Sequence, residues 1–268
     1  MRFKVDHDLH IHSHLSSCSK DPNQTTERIL QYAKDNGLSR ICITDHYWDT
    51  AAGYVSSWYE PQNFEHISKS LPLPKADGID FMFGCETDMD MNMRIGIPPE
   101  RYDDFGFIII PTTHMHMKFA VAEEDRESNK RRAELWVERL DAVLSREELP
   151  FHKIGIAHLA CGLINKRSRE DLFEILNMIP DDEMERLFSK AAKVGCGIEL
   201  NKSDMSYADS EADIILRPFR IAKSCGCKFY LGSDAHGTSA LDTAKAVFER
   251  AIDHLDLTEN DKFPLLFF

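Results

Sequence analysis

The chain has 268 residues, 43% of them hydrophobic and 29% charged, with a net charge of −13. That composition is ordinary for a soluble globular protein, and the length allows one full core, expected here as a single domain over 1–268. The acidic balance argues against a nucleic-acid surface, whose footprint is basic, yet it permits an anionic substrate where bound cations dominate the local charge.

No apolar h-region is visible near Met1, and no apolar run approaches the roughly 18 residues of a membrane span. Seven scattered cysteines without a Cys-x-x-Cys pair predict a reduced, cytoplasmic protein with no membrane partner. Residues 5–11 read as a first buried strand. Thr25 or Thr26 caps a helix that runs through Asn36 and stops at Gly37. Residues 40–44 form a second short strand, ending in Asp45-His46. The segment 47–74, rich in aromatics, Ser and Pro, reads as a long loop with a helical piece around 64–71, an insertion of the kind that often carries function. Residues 79–86 are a third strand and 105–111 a fourth, leading to Thr112-Thr113-His114.

A charged helix over about 124–147 follows, with Leu135, Val137, Leu140, Val143 and Leu144 as its apolar stripe. A fifth strand at 153–157 ends at His158, and two helices at about 168–178 and 182–194 lead to a sixth strand at 197–201. A helix at 211–225 precedes the strand 228–231 and Gly232-Ser233-Asp234-Ala235-His236, and a last helix covers about 240–254. Cys225 and Cys227 read as two thiols flanking a turn. Short apolar strands alternating with helices predict parallel pairing through right-handed crossovers. Ligand-type residues stand at the C-terminal ends of strands one to five and seven, where α/β barrels build their sites, whereas an open sheet gathers its site at one switch point. The expected fold is an α/β, TIM-like barrel.

In Asp8-Leu9-His10-Ile11-His12 the two imidazoles share one face of a strand. An isolated pair of this kind is more often two surface histidines. Here His46, Glu86, His114, His158, Asp234 and His236 each follow an apolar run in the same way. Together they read as a cluster. His, Asp and Glu ligands suit Zn, Mn or Fe, and this many donors imply two or three divalent ions, with Glu86 a candidate for a bridging carboxylate. Asp8 and Asp45 read either as strand-end hydrogen-bonding groups or as carboxylates that orient an imidazole from behind. Glu199 and Asn201 are candidates for substrate contact or ligand support. His14 and His116 each lie two residues beyond a stronger candidate and are candidates for lining the pocket. His7, His66, His152 and His254 read as structural or solvent-facing.

These residues, in this order, resemble the PHP (polymerase and histidinol phosphatase) family of metal-dependent phosphoesterases. The matching pieces are Asp8-Leu9-His10-Ile11-His12-Ser13, Thr44-Asp45-His46, Gly84-Cys85-Glu86, His114, His158 and Gly232-Ser233-Asp234-Ala235-His236. The resemblance implies a distorted (β/α)7 barrel with a two- or three-metal centre held by His10, His12, His46, Glu86, His114, His158, Asp234 and His236. Where some members carry a further His, Cys18 stands here, either as a thiolate ligand or as an inert loop thiol. The length excludes the polymerase members, and the layout, including Glu199-Leu200-Asn201, is similar to stand-alone histidinol-phosphate phosphatases.

The implied activity is hydrolysis of a small phosphorylated metabolite, histidinol phosphate first, by a hydroxide held between the metals. Asp234 and His236 are also candidates to protonate the leaving oxygen. Arg167, Arg169 and Arg217 are candidates for cationic contacts to the phosphate. Three alternatives stand beside this reading. One is a nucleotide phosphatase or phosphodiesterase of the same family. The second is an amidohydrolase-type C–N hydrolase, which usually carries a metal-bridging lysine that no strand end offers here. The third is a non-catalytic metal-binding module.

Overall fold

A computed structural model of the chain describes residues 1–165 and 167–264. Among these, nine short strands form: β1 (His7–Ile11), β2 (Arg40–Ile43), β3 (His46–Tyr47), β4 (Asp80–Phe83), β5 (Cys85–Thr87), β6 (Ile108–Pro111), β7 (Ile154–Ala157), β8 (Gly197–Asn201) and β9 (Lys228–Gly232). All pair in parallel, in the orders β1-β2-β4 and β3-β5-β6-β7-β8-β9. The two sheets are one wall, because β2 and β3 are halves of a strand bent at Thr44–Asp45, and β4 and β5 are halves of another bent at Gly84. Hydrogen bonds run across both bends, from Gly84 N to Ile43 O (2.8 Å) and from Glu86 N to Asp45 O (3.1 Å).

Gly84 is what lets that strand bend so close to its neighbours. A Cβ there would lie 2.4 Å from Phe107 O and 2.6 Å from Cys42 Sγ. The first and last strands then meet, with Asp234 N donating to His10 O (2.7 Å), His12 N donating to Ala235 O (3.1 Å), and Ile11 bridged in parallel to Ala235. The result is the expected seven-stranded TIM-like barrel, two of whose staves are broken.

Leu9, Cys42, Phe107, Ile109, Ala157 and Tyr230 fill the barrel interior, and Phe263 packs with them. The larger core lies between the strands and the surrounding helices. Those helices are α1 (Thr26–Asn36), α2 (Phe64–Ile67), α3 (Asn129–Leu144), α4 (Arg169–Met178), α5 (Asp181–Val194), α6 (Lys202–Met205), α7 (Ala212–Ser224), α8 (Thr238–Asp242) and α9 (Ala244–His254). α1 is capped as expected, with Thr25 accepting from Arg28 N and Gly37 in the left-handed conformation at its end. α3 starts later than 124 because Ser128 accepts from Arg131 N and begins the helix there. The last helix is interrupted at Thr243. Among the described residues no helix is long and apolar enough to cross a membrane.

Candidate metal centre

Every strand-end residue expected to bind metal reaches one face of the barrel, the end at which the strands finish. His10 lies on β1 and His12 just beyond it; His46 is on β3 and Glu86 on β5. His114 and His158 follow β6 and β7, while Asp234 and His236 follow β9. Two of these positions are bent sharply to aim inward, His158 with φ 37° and Asp234 with φ 50°. Left-handed backbone at a residue with a Cβ is costly and persists where the surrounding structure enforces it.

Glu86 sits at the middle. Its Oε2 lies 3.1 Å from His46 Nδ1, 3.3 Å from His12 Nε2 and 3.5 Å from His10 Nε2. Its Oε1 faces the other way, 3.1 Å from His158 Nε2 and 3.8 Å from His114 Nε2. Asp234 Oδ1 completes the first side at 3.1 Å from His12 Nε2 and 3.5 Å from His10 Nε2. Three donor sets result, each with ligand atoms within 4.8 Å of one another: His10, His12 and Asp234; Glu86, His114 and His158; and His12, Cys18, His46 and His236. Cys18 is thus inside the cluster, not on a remote loop.

The outer nitrogens of these rings are already engaged. His10 Nδ1–H donates to Glu199 Oε1 (2.7 Å) and His114 Nδ1–H donates to Asp88 Oδ1 (2.9 Å). Thr113 donates its hydroxyl proton to His158 O (3.0 Å), so its oxygen accepts from His158 Nδ1–H at 2.9 Å. Ser16 Oγ lies 3.1 Å from His12 Nδ1, and His236 Nδ1–H donates to the Asp234 carbonyl at 2.7 Å. An imidazole whose Nδ1 holds the proton presents Nε2 as a lone pair. The interior of the cluster therefore sets acceptor against acceptor, as where His10 Nε2 and His12 Nε2 stand 3.2 Å apart. That is the donor chemistry of a cation site, and nitrogen and carboxylate donors with one sulfur fit a zinc-like divalent ion.

The same inward nitrogens draw positive charge, and a proton competes there with a metal ion. Burial alone would discharge His10, His12 and His158, yet their neighbours, Glu199 first for His10, Cys18 for His12 and Cys161 for His158, with Glu86 adding to each, raise all three well above the ordinary imidazole value. Burial would likewise raise Glu86 and Asp234, but the surrounding imidazoles keep both well below the usual carboxylate range. His46 goes the other way: burial, with the charges of His12 and His114, draws it down to about 3 despite Glu86.

Gly232 makes room for the group behind His10. A Cβ at that position would lie 1.9 Å from Glu199 Oε1 and 2.7 Å from His10 Cβ. Glu199 also accepts from the His158 backbone amide (2.9 Å) and from Asn201 Nδ2 (3.1 Å), so one carboxylate holds the His10 ring and the His158 backbone. Farther back, the buried Arg139 of α3 donates to the carbonyls of Thr112, Met89, Asp90 and Ala120, pinning the loops that carry Asp88 and His114. Burial lowers Arg139 to about 10, which leaves it charged at neutral pH.

Several expected roles fall elsewhere. Asp8 touches no imidazole: it accepts from Ser233 N and His10 N and from the Tyr32 hydroxyl, fastening β1 to the end of β9. Asp45 accepts from the Ser13 amide and hydroxyl and shapes the turn after β1. Asn201 is fully buried and caps α6 by accepting from Ser203 N, so it supports Glu199 and does not meet substrate. Arg217 closes the end of α4 by donating to the Leu176 and Ile179 carbonyls and to Asp181. Arg167 is held by Glu127 and Asn129, and Arg169 by Glu211; none of the three lines the metal cavity. In each case nearer acceptors claim the guanidinium first. His14 lies away from the cavity, whereas His116 lines it.

That cavity measures about 530 Å³ and is walled by the cluster together with Trp58, Asp88, Met117, Leu163 and Ser203. Asp88, absent from the expected set, is legible after the fact, since Glu86-Thr87-Asp88 repeats the spacing of His10-Ile11-His12. Ser16, Thr113, Tyr59 and Trp58 carry no such signal. Tyr59 donates to Asp88 and lies 3.2 Å from His46 Nδ1.

A sequence profile of the PHP domain matches residues 8–203. The chain belongs to the PHP family. Within that family the architecture is similar to two solved structures. One is the histidinol phosphate phosphatase HisK from Lactococcus lactis subsp. lactis, complexed with zinc, L-histidinol and phosphate. It shares 16% identity over 92% of this chain and 93% of that one, with a TM-score of 0.54. The other is the provisionally named histidinol phosphatase hisK of Listeria monocytogenes, at 12% identity over 90% of this chain and 99% of that one, with a TM-score of 0.60. No curated protein sequence matches. At these identities the structural likeness speaks for the PHP barrel fold.

Proposed function

We propose that this PHP protein is a divalent-metal-dependent phosphomonoesterase acting on a small phosphorylated metabolite, with histidinol phosphate the first substrate to test. The observation that carries the reading is Glu86, whose two carboxylate oxygens face two different sets of imidazoles. A carboxylate so placed would help to hold more than one ion. His10, His12, His46, His114, His158, Asp234 and His236 would hold the ions with it, and Cys18 would join His12, His46 and His236. Ions held there would supply positive charge to the phosphoryl oxygens and would bring the pKa of bound water toward neutrality.

The chain's own groups prepare that chemistry. Glu199, Asp88 and Thr113 hold protons on the outward nitrogens, so the inward lone pairs converge without reorganisation. Among the described residues no Lys or Arg lines the metal cavity, which leaves the ions to meet the phosphate's charge. Asp234 is held ionised, and His236, lowered by burial and by the charge of His12, has its Nδ1–H committed to the Asp234 carbonyl. Neither is set up as the acid that protonates the leaving oxygen. Water at the open side of the cavity, where 38% of the His236 side chain is exposed, fills that role.

The zinc, histidinol and phosphate recorded with the Lactococcus relative give the test its first members. Zn- or Mn-loaded protein is assayed for phosphate release from histidinol phosphate, nucleoside monophosphates and a phosphodiester. The expected result is metal-dependent turnover of monoesters, with histidinol phosphate preferred. Silence across the panel with metal bound overturns the reading, and preference for the diester replaces it with a phosphodiesterase.

A further inference from the structure

Trp58 stands where the metal cavity opens into a second compartment. Its ring lies edge-on to His46 with 5.0 Å between centroids. Together with His116 and Met117 it walls both spaces, so the two adjoin along this wall. The second compartment measures about 630 Å³, within the roughly 300–1,000 Å³ of small-ligand pockets. It lies between residues 54–58 and 116–119, and Tyr54 and Phe119 add two further aromatic rings to it. Tyr54 is 74% exposed, a large ring held at the rim with its face available. Aromatic walls favour a flat partner, through offset or edge-to-face contact.

The opposite outlet differs. A space of about 450 Å³ shares Leu163 and Ser203 with the metal cavity, but it has no aromatic ring in its wall, and its Arg167 and Arg169 are committed to Glu127 and Glu211. In the Trp58 compartment the cation is Lys118, whose ammonium pairs with no acidic group among the described residues. It disfavours a positively charged ring.

We propose that the Trp58 compartment receives a planar, uncharged or anionic ring borne by the leaving alcohol on a short alkyl link, and that Trp58 and Tyr54 select such esters. The inference rests on the phosphomonoesterase reading. Histidinol phosphate, whose imidazole is neutral above a pKa near 6.5, belongs to this class.

The experiment compares 2-phenylethyl phosphate with ethyl phosphate, alike in charge and in alcohol chemistry and different in the ring. The metal-loaded wild type is expected to favour the ring-bearing ester at least tenfold in kcat/KM, mainly through KM. Trp58→Ala brings the ratio to within about twofold, Trp58→Phe keeps most of it, and Tyr54→Ala, on the rim away from His46, lowers it about threefold. 2-Phenylethanol inhibits the wild type competitively and Trp58→Ala far less. Turnover of both esters without preference overturns the inference and leaves the phosphatase reading standing. Equal losses on both esters in Trp58→Ala, with Tyr54→Ala unchanged, also overturn it, because Trp58 then acts only by propping His46. No turnover of any monoester brings down the reading and the inference with it.

Discussion

The two ends of the barrel hold charged groups in opposite ways. At the end where the strands begin, a cavity of about 770 Å³, larger than the metal cavity, is lined by Asp6, His7, Arg40, Asp80, Glu259 and Lys262. There each charge meets its opposite. Arg40 Nε bonds Asp80 at 2.9 Å, Lys262 lies 2.9 Å from both Asp6 and Glu259, and His7 donates to Asp6 at 2.8 Å. His7 Nε2 accepts from the Leu231 amide. At the end where the strands finish, lone pairs face lone pairs around Glu86. The smaller space is the one with unfinished chemistry, so volume is a poor guide and donor–acceptor mismatch a good one. Barrel geometry agrees, since strand C-terminal ends and their loops carry function while the other end serves stability.

Removing the centre of the mismatch should have the largest effect. Glu86→Ala is expected to lose bound metal and at least ~10³-fold in phosphate release while keeping its circular dichroism, the several kcal/mol that metal charge supplies to a phosphoryl transition state. An active, metal-free variant would contradict the assignment. Arg139→Met leaves four buried carbonyls without their donor and should lower unfolding stability by about 3–5 kcal/mol, read as a shifted urea midpoint.

Asp8 offers a pH-dependent test of the seam between β1 and β9. Burial pushes its carboxyl up to about 6 against the hydrogen bonds it accepts. The folded chain keeps that proton to about pH 6 while the unfolded chain releases it near the ordinary ~3.9, so stability falls as pH rises between the two. The unfolding free energy of wild type minus that of Asp8→Asn should drop by up to about 3 kcal/mol over this window and stay flat above it. A constant difference would show that Asp8 does not titrate there.

Glu199→Gln places an amide NH2 against the His158 amide or the His10 ring and should weaken metal binding about 10–100-fold in chelator competition. At the finished end, Asp80→Asn breaks a pair whose carboxylate is 44% exposed. It should cost no more than about 1 kcal/mol and leave metal content and turnover unchanged.

Much of this was legible from the residues because a barrel writes its site at predictable places. His10-Ile11-His12, Asp45-His46, Glu86, His114, His158 and Asp234-Ala235-His236 each close an apolar run, and those runs are the staves. The supporting groups were harder to read. The bend at Gly84 lies inside an unbroken apolar run, and its cause is tertiary, the nearness of Phe107 and Cys42. Thr113 meets a histidine 45 positions away, and a hydroxyl announces no such partner. Asp8 and Asp45 stayed open between two readings because a carboxylate beside a ligand can bond amides as readily as imidazoles, and here both bond amides and hydroxyls. Arg167 and Arg217 follow the right strands, yet local acceptors turn them away from the cavity.

The meeting of β1 with β9 joins parts of the chain more than two hundred residues apart, through only a few backbone hydrogen bonds. His10 and His12 stand on one side of it, Asp234 and His236 on the other. Ions shared across that junction would therefore act as a latch on the closed barrel as well as on substrate. Because ions bound only by the closed form add about 2.7 kcal/mol at a hundredfold excess over their Kd, scarcity of metal would loosen this seam before any other, and the order in which the chain closes would follow the supply of ions.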